Sequence, residues 1–387
     1  MIAGTHRFPR QDAVVYGRPA AQAVAEMAKR YGASRLMLMT TKSLGGEEGQ
    51  AEKLKDELGI LCVGMFDAIA SHSPRTDVIA GAQAAREARA DLLVALGGGS
   101  VIDATKLMQL CLWANLKETQ QLGPYRLGRG DDRKDPAAIP SGVRMIAVPT
   151  TLSAAEFTAV AGVTDGERKV KEAYTHPDMA PRAVVLDPAM TLATPSRLWF
   201  STGLKAIDHA VEQLCNLERA PMGDTVAAEG LRLLARGLNA VRRDESDLDA
   251  RLQCQHGMWL AISGSASGRG MGASHAIGHT LGGSYGVPHG VTSCITLHAV
   301  LEWNKNYGAD RQLLVSRLMG RRRLPASLAV RDLVIKLGLP WRLSEVLIGA
   351  SRFRAIAEHT MHDRAIRSNP RPIRSPDDIV EILELAA

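Results

Sequence analysis

The chain has 387 residues, 45% hydrophobic and 23% charged, the balance of a folded globular protein of two or three domains. That balance excludes disorder, collagen-like repeats and a disulfide scaffold, and no apolar run reaches the roughly 18 residues a membrane helix needs. The formal charge is +6, with basic residues dispersed apart from Arg321, Arg322 and Arg323, so no nucleic-acid footprint is expected, and the excess suits an anionic small substrate or cofactor.

The first half alternates helical and strand patterns. Residues 19–31 read as an amphipathic helix, with Val24, Met27 and Ala28 on one face. Residues 36–39 follow as a short apolar strand. Then come a helix at 51–58, a strand at 60–65, a helix at 76–90 and a strand at 92–96. A helix at 100–113 and strands at 144–148 and 183–186 complete the series. Continuous apolar strands between helices predict a parallel sheet covered on both faces. Residues 116–142 are polar and rich in Gly, Pro and charge, and are expected as a surface excursion. From residue 194 onward the pattern is helical, with 3.6-residue periodicity at 198–214, 225–242 and 248–265. The expected organisation is an α/β domain at 1–190 and an all-α domain at 191–387.

Residues 1–10 carry no apolar segment of the signal-peptide type. The five cysteines form no CxxC pair and sit in apolar segments. Free buried thiols and a cytoplasmic location are therefore expected.

The strand at 92–96 runs into Gly97-Gly98-Gly99-Ser100, and a helix starts at Ser100. Glycines let phosphate oxygens reach backbone N–H groups, and a helix N-terminus favours an anion. Ser100 and Asp103 form a Ser-x-x-Asp capping pattern at that start. The usual GxGxxG fingerprint is absent, so phosphate binding and a plain tight turn both remain open on this feature alone.

The turn with its Asp103 and Lys106, the Pro149-Thr150-Thr151 segment before Glu156 and Thr158, and the 203–212 helix together resemble the iron-containing (group III) alcohol dehydrogenase superfamily. Lys171 ahead of Pro181, the 275–290 segment with His275, His279 and His289, and Asn369-Pro370-Arg371-Pro372 extend the resemblance over most of the chain. Maleylacetate reductases look nearest. The resemblance implies an NAD(P)-binding α/β domain, an all-α catalytic domain, and a homodimer or larger assembly. It implies that Gly97, Gly98, Gly99 and Ser100 hold the cofactor pyrophosphate and that Asp103 helps set that loop. It brings Thr150, Thr151 and Lys171 toward the nicotinamide half. Ala154 and Ala155 depart from the Gly and Ser usual there, which removes a hydroxyl donor. In many relatives the strand at 36–39 ends in Thr-Asp, and the Asp binds ribose and repels a 2′-phosphate. Here Thr40-Thr41 and Lys42 stand there, so NADPH should be tolerated beside NADH.

The histidines carry the second constellation. His275 and His279 are four apart and share a helix face; His289 lies ten residues on, and His209 is on another helix. In metal-dependent relatives an Asp four residues before the His209 position joins the equivalents of His209, His275 and His289 around the metal. That Asp is Lys205 here. Two unit charges 4 Å apart interact by about 4 kcal/mol at an effective dielectric near 20, and for a divalent ion the lost attraction and the new repulsion each count double. Deprotonating the lysine at pH 7 costs about 4–5 kcal/mol instead. No metal is therefore expected, although His209, His275 and His289 could still hold zinc were Lys205 to point away.

The expected activity is hydride transfer from NAD(P)H to a carboxylate-bearing carbonyl or enone substrate of the maleylacetate type, in aromatic catabolism. Lys205, His209 and His279 are the expected catalytic groups. Lys205 and His209 would polarise the developing negative charge, and His279 would deliver the proton. The alternatives are a metal-dependent alcohol dehydrogenase and a cofactor-binding homologue without catalysis. A lyase of the dehydroquinate synthase type, which also uses the Gly-Gly-Gly-Ser turn, is disfavoured by the lack of a dense Lys/Arg pattern.

Overall fold

Alternating apolar strands and helices in the first half require a sheet with two faces to cover. The computed structural model describes residues 5–128, 133–168 and 170–387. Phe8–Thr194 form one compact unit, and Pro195–Ala387 with residues 5–7 form another.

In the first unit the elements run β1 (Ala13–Tyr16), α1 (Ala20–Tyr31), β2 (Leu36–Met39), α2 (Lys42–Gly45), α3 (Gln50–Leu58) and β3 (Cys62–Phe66). They continue with α4 (Arg75–Glu87), β4 (Leu92–Gly97), α5 (Gly99–Trp113), β5 (Arg144–Pro149), β6 (Val160–Asp165), β7 (Val170–Thr175) and β8 (Ala183–Leu186). Among the described residues, six strands form a parallel sheet in the order β1-β8-β5-β4-β2-β3. Strand alternation sorts the apolar side chains onto two faces. Met37, Met39, Leu93 and Ala95 pack with Val78, Ile102 and Leu107 of α4 and α5. Leu36, Leu38, Leu92 and Val94 pack with Val24, Met27 and Leu54 of α1 and α3. The chain runs from β2 out to β3, then returns to lay β4 on the other side of β2. The crevice beyond the carboxyl ends of β2 and β4 is thus a topological switch point, where open α/β sheets bind ligands.

Four features depart from the sequence reading. The edge strand β1 and the antiparallel β6–β7 hairpin are additional. The stretch 116–142 is not simply a surface excursion, because Leu116, Leu122 and Tyr125 are buried in the α4–α5 face of the core; its residues 129–132 lie outside the described residues. Cys111, Cys215, Cys254 and Cys294 are buried free thiols, but Cys62 is half-buried.

The second unit is helical: α6 (Ser196–Cys215), α7 (Pro221–Val241), α8 (Leu248–Ser263), α9 (Ala273–Tyr285), α10 (His289–Trp303), α11 (Ala309–Leu318), α12 (Ala326–Lys336), α13 (Phe353–Thr360) and α14 (Pro376–Leu385). Helix α6 is buried along its length from Trp199 to Cys215, so its polar residues face protein rather than water. None of the described helices is long and apolar enough to cross a membrane.

The high glycine content is used where α7 meets α8. A Cβ on Gly230 would stand 2.6 Å from the Ala261 nitrogen and 2.8 Å from the Gly257 carbonyl oxygen, and one on Gly257 2.9 Å from the Leu234 nitrogen. Backbone atoms on the opposite helix cannot swing aside as a side chain can. Gly230→Ala is therefore expected to lose about 2 kcal/mol of stability in denaturant unfolding, the overpacking cost outweighing alanine's better helix propensity. Gly349→Ala, where nothing lies within 4 Å, should change stability by less than about 0.5 kcal/mol.

Candidate active site

The glycine turn lies at the switch point. Gly97 pairs with Pro149 on β5, and α5 starts at Gly99 directly behind it. A Cβ on Gly97 would meet Val101 Cγ2 at 2.6 Å, one on Gly98 would meet Thr151 Cγ2 at 2.9 Å, and one on Gly99 would meet Ser153 Oγ at 3.1 Å. The loop after β5 thus closes over the turn. The Oγ atoms of Thr151 and Ser153 are buried without a protein hydrogen-bond partner. Thr41 follows β2 and leads into α2. Its neighbour Thr40 is buried and donates its hydroxyl to the Leu96 carbonyl at 2.8 Å, tying the end of β2 to the end of β4. Thr150 donates its backbone N–H to Gly97 O at 3.0 Å and accepts from the Thr194 hydroxyl at its own carbonyl.

The Ser100–Asp103 capping pattern does not form. The N-cap is Gly98, with no side-chain cap. Ser100 Oγ instead accepts from His72 N at 3.0 Å, and Asp103 Oδ2 accepts from Gly162 N on β6 at 3.0 Å. The hairpin outcompetes the helix start for that carboxylate. Lys171, on β7, lays its Cε and Nζ over Gly162, on the same side as Asp103. Residues His72 and Ser73, both at positive φ, belong to this neighbourhood and carry no motif that announces it. Ser73 Oγ donates to the Ser100 carbonyl at 2.7 Å, and the charge on Lys171 joins burial in pulling the His72 imidazole down.

Behind the turn, Lys106 is fully buried. Its ammonium donates to the carbonyls of Ala155 at 2.6 Å and Val160 at 2.7 Å and to Thr158 Oγ1 at 3.2 Å. Glu156 is buried beside it with both carboxyl oxygens lacking a partner, and burial pushes its carboxyl up to about 7.

In the helical unit the histidines come together. The rings of His209 and His275 stack with centroids 5.0 Å apart, those of His279 and His289 stack at 5.7 Å, and His275 and His279 are 6.3 Å apart. His209 and His275 are buried, whereas His279 and His289 are exposed. Lys205, one turn before His209 on α6, is only 4% exposed. The solvated surface position usual for a helix lysine does not apply. Its charge acts on His209, His275, Asp208 and Glu212.

Glu212 is the organising residue that sequence reasoning passed over. One oxygen accepts from Gly272 N at 2.7 Å and from His275 Nδ1 at 2.6 Å, and the other accepts from Ser274 N at 2.8 Å. The carboxylate therefore sits on the N-terminus of α9, where the helix dipole favours it. Asp208 Oδ2 accepts from the hydroxyls of Ser274 at 2.9 Å and Ser293 at 2.6 Å. Burial raises both carboxyls, Glu212 to about 7. Burial, then the charge on Lys205, lowers His275 to about 3, and burial takes His209 well down. Both rings are neutral at pH 7. His275 carries its proton on Nδ1 toward Glu212, which leaves a lone pair on Nε2. His275 Nε2 and His209 Nδ1 are buried without a protein hydrogen-bond partner.

The comparisons with known proteins show which family this fold belongs to. Residues 11–188 match the profile of the iron-containing alcohol dehydrogenase family, and residues 199–387 match its C-terminal profile. The chain is 35% identical to the dehydrogenase FUM7 of Gibberella moniliformis, over 97% of this chain and 96% of that protein. It is 30% identical to a maleylacetate reductase of Burkholderia cepacia, over 98% and 96%. The crystal structure of maleylacetate reductase from Rhizobium sp. strain MTP-10005 superposes with a TM-score of 0.82 at 28% identity, covering 100% of this chain and 98% of that one. The chain belongs to the iron-containing alcohol dehydrogenase family and is an NAD(P)-dependent oxidoreductase.

Glu156 yields a pH prediction. A buried carboxyl with a folded pKa near 7 and an unfolded one near 4.3 binds more protons in the native state between those values. Its contribution to stability is therefore favourable at low pH and is lost as pH rises through 7, by about 4 kcal/mol at most. Glu156→Gln should raise the melting temperature more at pH 8 than at pH 5. Equal shifts at both pH values would show that Glu156 does not titrate in this range.

Proposed function

We propose that the protein is a maleylacetate reductase-like enzyme that transfers hydride from NAD(P)H to a carboxylate-bearing carbonyl or enone substrate without a metal ion. Residues 1–190 would carry the dinucleotide and residues 191–387 the catalytic groups. With maleylacetate, hydride adds to the alkene carbon β to the ketone, enolate charge develops on the ketone oxygen, and a proton returns to the carbon between them to give 3-oxoadipate and NAD(P)⁺. Lys205 and His209 would stabilise the developing oxyanion, and His279 would supply the proton.

The observation that carries this reading is the burial of the Lys205 side chain, at 4% exposure, in the position where metal-dependent relatives keep a carboxylate. Asp208, Glu212 and His275 lie close enough together for metal ligation. Asp208 Oδ2 is committed to two serine hydroxyls and Glu212 to two backbone N–H groups and His275 Nδ1, while Asp208 Oδ1, His275 Nε2 and His209 Nδ1 have no protein hydrogen-bond partner. A divalent ion beside His209 and His275 would face the charge of Lys205, which acts on both rings, and on that ground this donor set does not suit the iron of the family.

For the dinucleotide, the fit is good. Three glycines whose missing side chains open a cradle, the N-terminus of α5 and the unpartnered hydroxyls of Thr151 and Ser153 suit a pyrophosphate. NAD(P)H bound there supplies the hydride. Thr41, Asp103, Thr150 and Lys171 complete the proposed cofactor residues. On this reading Ser153→Ala should weaken NADH binding about tenfold in a fluorescence titration, one charge-assisted hydrogen bond's worth. Unchanged affinity would remove Ser153 from the site.

The decisive experiment is a panel of carbonyl substrates with NADH and NADPH, run with and without EDTA. Turnover with both nucleotides should survive chelation, and added zinc or iron should not raise it. Lys205→Ala should then lose about two to three decades in kcat. Stoichiometric metal with chelator-sensitive turnover, or unchanged Lys205→Ala kinetics, would overturn the mechanism.

A further inference from the structure

His279 differs from the buried histidines in what holds it. Its side chain is 51% exposed, so packing alone does not fix the ring. Its Nδ1 lies 2.7 Å from Asp363 Oδ2, a residue 84 positions further along the chain. The other Asp363 oxygen accepts from Ala365 N at 2.8 Å, capping the short turn Arg364–Ser368. Both carboxylate oxygens are thus committed. Two further bonds tie α13 to α9 beside this pair, from Thr360 Oγ1 to Thr280 Oγ1 at 3.0 Å and between Ser284 Oγ and His359 Nδ1 at 3.0 Å. The stacked His289 ring, only 4° from parallel, sets the plane of His279.

We infer that Asp363 is a positioning residue for the proton-delivering histidine: it holds His279 as the Nδ1–H tautomer in one orientation and leaves Nε2 for the exchange with substrate. The inference rests on the proposed role of His279. A carboxylate on the far nitrogen of a working imidazole fixes its tautomer and ring orientation. The hydrogen bond from His279 and the Ala365 N–H outweigh burial and keep Asp363 below the usual carboxylate range, so it is an acceptor at neutral pH.

Asp363→Asn is the test, because it keeps the shape and the Ala365 cap but turns an N–H donor toward Nδ1. Long-range 1H–15N spectra of histidine-labelled protein, with the His279→Ala spectrum to assign the signal, read the tautomer. The wild type should show His279 protonated on Nδ1, and Asp363→Asn should show it on Nε2. With any substrate of the panel, kcat of Asp363→Asn should fall about 100-fold, with KM for the nucleotide within about twofold. Asp363→Glu should recover at least about a tenth of wild-type turnover. A wild-type His279 protonated on Nε2, or an Asp363→Asn enzyme within threefold of wild type, would overturn the inference. Should Asp363→Asn not fold, the wild-type tautomer and Asp363→Glu still decide. A wild type that turns over no carbonyl substrate would count against the proposed function, and the tautomer would still decide the role of Asp363.

Discussion

An ammonium has been taken out of water inside α6, and the neighbouring structure answers to it. Burying a lone charge costs several kcal/mol even after relaxation. Lys205 is supportable because the same helix carries Asp208 and Glu212 within two turns, and each feels its charge. Those carboxylates are costly to bury in turn. They are made tolerable by donors from α9 and α10: Ser274, Ser293, Gly272 N and His275 Nδ1. The charge of one lysine therefore couples α6 to the start of α9 and to α10. The adjacent imidazoles pay by staying neutral, since desolvation and the nearby cation both oppose their protonation.

The first unit solves its problem with absent atoms. The glycines at the end of β4 let the β5 loop close over the turn, and the loop is held from behind by Lys106, whose ammonium gathers the carbonyls of Ala155 and Val160. Ala154 sits in this loop at φ +65°, a left-handed conformation costing a residue with a Cβ roughly 1 kcal/mol. That explains why glycine is usual there. Ser153 and Ala155 both face Gly99, and Ser153 brings its Oγ nearer, to 3.1 Å of where a Cβ would stand.

What was legible follows from the range of the forces involved. The strand Leu36–Met39 and the strand Ala183–Leu186 were readable to the residue because they are buried on both faces, and an unbroken apolar run says so. β1 hid because it is three half-exposed residues and an exposed Tyr16 at an edge. The β6–β7 hairpin hid because Gly162, Lys171 and Glu172 dilute its alternation. The Ser100–Asp103 pattern misled because local spacing cannot report a competitor 59 residues away, the N–H of Gly162. Glu212 stood inside a legible helix motif, yet its function needs the N-terminus of α9, 60 residues on. Asp363, 84 residues from His279, leaves no local trace.

The pattern of carboxylates has a further meaning if Lys205 stands where relatives bind a metal. A metal ion orders its own ligands, because coordination bonds are short and directional, and outer-shell partners then refine the rings. An ammonium is a compact charge that imposes far less geometry on neighbouring imidazoles. Orientation must then come entirely from the protein. His275 is held by Glu212 at 2.6 Å, His279 by Asp363 at 2.7 Å, and two stacked ring pairs set the planes. His279, exposed like His289, is tied to Asp363 just after α13, and α13 is bonded to α9 through Thr360 and Thr280. On the proposed reading, retaining four histidines without the Asp is coherent: the lysine would supply the positive charge, and the carboxylates behind His275 and His279 would supply the order a metal imposes.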